Sequence, residues 1–173
     1  MRYFLIIMIH FFLLSCNRNE LYQPSEKYKI ASEIRNRVAK KLVQKQGLIP
    51  FGTDGQMLDQ IQMLGLYFQY RKPLNIDEGR ELLVYAVQTF LVEVNTDQRV
   101  QPYLNNVPFQ PRNIIISICP KNPDGSSFGG ENLSIIDVNE GVLRYHINGP
   151  DGFLKEVYRE TYEEALQKVR PCI

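Results

Sequence analysis

Few residues in this chain are equipped to make or break bonds. It holds two histidines and three cysteines. His10 sits in an apolar run at the start, so His146 is the histidine left to a folded domain. On a strand His146 shares a face with Arg144, while Leu143, Tyr145 and Ile147 take the other, which reads as an exposed strand histidine. A zinc site of the HExxH type needs a second histidine, and a Cys/His cluster lacks ligands. Neither GxSxG nor CxxC occurs. A serine or cysteine nucleophile would have to use His146 as its base, or do without histidine. "DGSSFGGEN" (124–132) has neither the GK[ST] of a phosphate loop nor the spacing GxGxxG. Asp124 and Glu131 lack the spacing of a calcium loop. Two carboxylates meeting in space could still serve a hydrolase. No catalytic residue, metal or cofactor is assigned.

The thiol with a chemical role is Cys16. It ends "MRYFLIIMIHFFLLSC", in which Arg2 precedes a twelve-residue run, Tyr3 to Leu14, broken only by His10. Twelve residues are too few to span a bilayer, which takes about 20. They fit the apolar region of an export signal, about 7–15 residues. Leu13-Leu14-Ser15-Cys16 resembles the lipobox of bacterial lipoproteins, and only residues 2–16 carry that resemblance. It implies a diacylglyceryl group on the Cys16 thiol, cleavage before Cys16, and acylation of the new amino group. Several acyl chains hold a protein at a membrane where one would be marginal. Asn17 rather than Asp follows the cysteine, which favours the outer over the inner membrane under the enterobacterial sorting rule. Beyond the lipobox, no family is recognised.

Removing the first 15 of 173 residues leaves 158, one domain's worth, with 19 basic residues against 19 acidic ones. A neutral chain has no global field for nucleic acid. Cys119 and Cys172 would sit where disulfides persist, so a Cys119–Cys172 bond and two free thiols both stand as readings. The predicted organisation is a signal peptide (1–15), a lipid anchor and tether (16–24), and one domain (25–173).

Ser25 as an N-cap and Gly47 as a stop frame a first helix, with Tyr28, Ala31, Ile34, Val38 and Leu42 as its apolar stripe. Seven basic residues face two acidic ones along it, enough to suggest contact with anionic head groups. "LIPFGTDG" (48–55) reads as a loop, and Met57 to Ile61 as a short helical turn. Leu64 to Tyr70 alternates as a strand. Asn75 with Glu78 resembles a capping box opening a buried helix, Ile76 to about Val94. Residues 99–113, with three prolines, read as an irregular crossing. Residues 113–119 read as a central strand, Leu133–Val138 and Val142–Ile147 as a hairpin with the loop Asn139-Glu140-Gly141, and Phe153–Arg159 as a last strand. Thr161 with Glu164 caps a final helix. The fold class is α+β, with a mostly antiparallel sheet of about four to five strands packed by N-terminal, central and C-terminal helices. Loop 121–132 is long for such a connection. Phe128 at its middle reads either as a partner anchor or as a side chain folded back onto the domain.

Together these readings predict a cell-envelope lipoprotein: a non-catalytic, membrane-tethered interaction or structural module. Its partners are the membrane, through the anchor, and an envelope protein. The alternatives are a lipid-anchored hydrolase using carboxylates and a small solute-binding module.

Overall fold

The structure, a computed structural model, describes residues 23–169. Cys16 and Cys172 lie outside them. Helix α1 spans Glu26–Gln46; Ser25 accepts from the Tyr28 N–H, and Gly47 closes the helix in the left-handed region at φ 68°. Its stripe buries Ile30, Ala31, Ile34, Val38 and Leu42. Tyr28 is not part of that stripe: it is exposed, with the Arg35 guanidinium 5.7 Å from its ring centre.

Strands β1 (Ile49–Gln56) and β2 (Met63–Tyr70) pair antiparallel. Helix α2 (Ile76–Thr96) opens on the capping box of Asn75 and Glu78 that the spacing predicts. Then follow β3 (Ile114–Pro120), β4 (Ile135–Asn139), β5 (Val142–Asn148) and β6 (Leu154–Thr161). Helix α3 (Tyr162–Lys168) opens on the predicted box of Thr161 and Glu164. The strands lie in sequence order in one sheet.

The α+β class is observed, with the sheet different from expectation. It has six strands and is mixed, not a mostly antiparallel sheet of four to five. β2 and β3 pair parallel, because α2 carries the chain back to the end from which β2 started. The added strand is β1, in the segment expected to be a loop. It is an edge strand exposed along most of its length, so it shows no period-2 burial to read. Pro50, Gly52, Gly55 and a bulge at Phe51 disguise it further; such features blunt a free sheet edge. The β4–β5 loop has two residues rather than three, with Glu140 at φ 53° and Gly141 at φ 76°. Both are left-handed, as a hairpin turn of this length requires. Residues 57–60 form no helical turn, and Ile61 bridges to Leu104.

All three helices cover one face. α1 packs on β1 and β2, α2 on β3, β4 and β5, and α3 on β5 and β6. Beneath them lie Leu66, Phe68, Ile116, Ile118, Val138 and Leu143, all buried. Gly79 lets α2 approach closely: a Cβ there would lie 3.3 Å from Leu133 and 3.4 Å from Ile136. The strand directions also give the molecule two poles. One holds the start of α1, loop 57–62, segment 97–113 and the turn at Glu140-Gly141. The opposite pole, about 25 Å away along strands of seven or eight residues, holds loop 121–134, the turn 149–153 and the end of α3.

Candidate functional site

The second face of the sheet carries no helix among the described residues. Alternation places Tyr67 of β2, Ser117 and Cys119 of β3, Asp137 of β4, and Arg144 and His146 of β5 on it, all half-buried. Register aligns Tyr67, Ser117, Asp137 and Arg144 in one row across four strands.

The polar centre of this face lies around His146. Its Nδ1 is 3.6 Å from Asp137 Oδ2, and its Nε2 is 3.9 Å from Glu156 Oε2. Both are too long for hydrogen bonds. The Arg144 guanidinium donates to Asp137 Oδ1 at 3.2 Å. Burial pushes the Asp137 carboxyl above the usual carboxylate range, and Arg144 offsets this only in part. His146 is therefore more enclosed than the exposed strand histidine expected. The cross-strand pair Asp137–Arg144 is readable once the two-residue turn sets the register. Glu156 is not, because a bulge at Val157 shifts β6 by one residue.

Cys119 and His146 make no catalytic dyad. β4 runs between their strands, so their backbones are about 10 Å apart. Burial also raises the Cys119 thiol above its ordinary value, which lowers the thiolate fraction needed for attack. Among the described residues no group of three or more His, Cys, Asp or Glu side chains could hold a metal ion. Asp124 accepts from the Ser126 N–H and hydroxyl, which closes loop 121–134 on itself, while Glu131 is exposed. Phe128 in that loop is half-buried, between the two placements its sequence left open.

Under the helices, Glu160 is bonded differently. Glu160 of β6 is buried and accepts from Arg80 Nε at 2.6 Å, the Tyr145 hydroxyl at 2.7 Å and Lys168 Nζ at 2.7 Å. Burial opposes its ionisation, but those three donors outweigh the burial and hold its carboxyl below the usual range. The network ties α2, β5, β6 and α3 together. Between α1 and α2, Arg37 pairs with Glu93 and Asp97, and Lys41 with Glu93. Lys27 donates to the backbone of residues 58 and 59, and Arg35 to the Asp54 carbonyl. Much of the basic excess of α1 is thus engaged within the domain.

A half-open groove of about 1020 Å³ lies at the pole where α3 ends. Tyr70, Leu74, Leu82, Tyr85 and Leu166 line it beside Lys72 and Glu81. Val169, the last described residue, also lines it. No described helix is long and apolar enough to cross a membrane. No protein-family model matches the chain, and neither a curated protein nor a solved structure matches it.

Proposed function

We propose that this chain is a lipid-anchored module of a bacterial cell envelope that acts by protein contact through the helix-free face of its sheet. The lipobox at Cys16 supports the anchor, and Asn17 favours the outer membrane. One observation carries the contact reading. On the face away from the helices Asp137 and His146 sit half-buried in loose, incompletely bonded geometry, while Glu160 on the covered face has three donors on its carboxylate. A partner's surface would complete the hydrogen bonding that Asp137 and His146 lack.

Two measurements test the two halves. Intact mass of the membrane-extracted chain should show an acylated N-terminus at Cys16, and Cys16→Ser should leave an uncleaved precursor; an unmodified, soluble chain starting at Met1 would end the anchor reading. A photo-crosslinking residue at Ser117, on the open face, should capture an envelope protein in intact membranes. The same residue at Lys40, exposed on α1 and outside the groove, should not. Equal capture from both positions would remove the sheet face as the site.

The groove is the feature that favours the solute-binding alternative, since its volume suits a small ligand. Its lining mixes Lys72 and Glu81 with the apolar residues and it stands half-open, which favours a contact surface over an enclosed ligand site.

A further inference from the structure

We infer that the pole holding the start of α1 is the membrane-facing end of the domain, and that Leu58 inserts there into the lipid surface. This rests on the lipid anchor proposed above. Twenty-two residues precede Gln23, and their apolar run, Tyr3 to Leu14, ends two residues before Cys16. The tether between Cys16 and α1 is about eight residues, reaching at most roughly 28 Å. It joins the domain at this pole, so this end meets the lipid with the least extension of the chain.

What the pole presents fits that neighbour. Leu58 is 91 % exposed. It is not at the tip of a loose loop. Lys27 of the first turn of α1 donates to the carbonyls of Leu58 and Asp59. On the other flank the Ile61 N–H donates to the Tyr103 carbonyl at 2.7 Å, and the Asn105 N–H to the Ile61 carbonyl at 3.0 Å. The loop is held on both sides while its leucine points into solvent. Tyr28 on α1 and Val107 in the adjoining segment are exposed at the same pole. A tyrosine beside apolar side chains suits the boundary between head groups and acyl chains.

Much of the nearby charge is engaged: Lys27, Arg35, Arg37 and Lys41 bond inside the domain, Arg99 pairs with Glu33 and Asp97, and Asp59 stands next to Leu58, while Lys29 and Arg112 stay exposed at this pole. The insertion of Leu58 itself is apolar, so it should persist in zwitterionic lipid and in high salt.

The chain contains no tryptophan, so one introduced indole reports its own surroundings. The full lipoprotein is made with Leu58→Trp or, at the opposite pole, Phe153→Trp, a position 75 % exposed. Each is reconstituted into phosphatidylcholine vesicles with and without brominated acyl chains. Brominated lipid should quench the indole at position 58 at least about twofold, in low and high salt alike, and leave that at position 153 nearly unchanged, because insertion reaches only about 5–10 Å into the boundary. Vesicle flotation is scored on the same samples. A chain that floats but shows no quenching at position 58 overturns the orientation and leaves the anchor standing. A chain that does not float overturns the anchor and the orientation with it. A blue shift at position 58 that grows with protein concentration but ignores brominated lipid assigns the leucine to a second copy of this chain and also overturns the inference.

Discussion

Glu160 and Asp137 are carboxylates on the two sides of one sheet, and the sheet treats them oppositely. Glu160 lies under the helices with three donors on its oxygens, and its carboxyl is held down. Asp137 lies on the open side with one guanidinium contact and a distant imidazole, and burial pushes its carboxyl up. A buried charge is tolerable where its bonding is complete. The complete bonding of Glu160 helps hold the fold together. The incomplete bonding of Asp137 and His146 leaves them available to something else.

The largest effect should come from removing the complete set. Glu160→Ala removes the acceptor shared by Arg80, Tyr145 and Lys168, leaving Arg80 its pair with Asp77 and Lys168 the Tyr158 hydroxyl, and should cost about 3–5 kcal/mol in denaturant unfolding, as breaking a buried pair does. A loss under about 1 kcal/mol would erase the distinction between the two sides. Phe128→Ala comes next. A half-buried ring should lose about 1–2 kcal/mol, short of the roughly 3–5 kcal/mol of a core phenylalanine. A loss at the core value would mean that loop 121–134 is part of the core, and no loss would free Phe128 for a partner.

Acidity should separate the carboxylates by sign. Glu160 has a folded value below its unfolded one, so its stabilisation is full above the unfolded carboxylate range and is lost as pH falls through the folded value. Asp137 has a folded value above its unfolded one, so its charged form weakens the fold, and that penalty is relieved as pH falls through the folded value. Unfolding free energies from pH 7 to 3 should therefore show a shallower acid decline for Glu160→Gln than for the parent, and a steeper one for Asp137→Asn. At pH 7, Asp137→Asn should be the smallest change, within about 0.5 kcal/mol of the parent or slightly stabilising. A large loss there would make Asp137 a structural group like Glu160.

Much of the scaffold was legible because local chemistry dictates it. Ser25, Asn75 and Thr161 each accept from a backbone N–H three residues on, and those caps place the starts of α1, α2 and α3. The strands of the core alternate or run apolar, so β2 to β6 were readable within one or two residues. β1 was not, because an edge strand exposed on both faces has no burial pattern to leave in its sequence. The parallel β2–β3 pair was missed with it, since pairing depends on where α2 returns the chain and not on any local signal. The candidate surface was the least legible part. His146 was visible as a lone histidine on a polar strand face, but Asp137 joins it only through the β4–β5 register and Glu156 only through the bulge at Val157. The Glu160 network was missed for a similar reason: Arg80, Tyr145 and Lys168 reach it from three different elements.

Cys119 offers a direct measure of whether the open face is covered where the protein works. With Cys172→Ser, and with Cys16 acylated as proposed, Cys119 is the one thiol left to react. Its alkylation can be timed in intact membranes and in purified, detergent-solubilised protein. A partner seated on the helix-free face should slow the reaction in membranes about tenfold or more, and Glu160, on the other side, should play no part in that protection. Equal rates in the two preparations would contradict the assignment of this face as the contact surface.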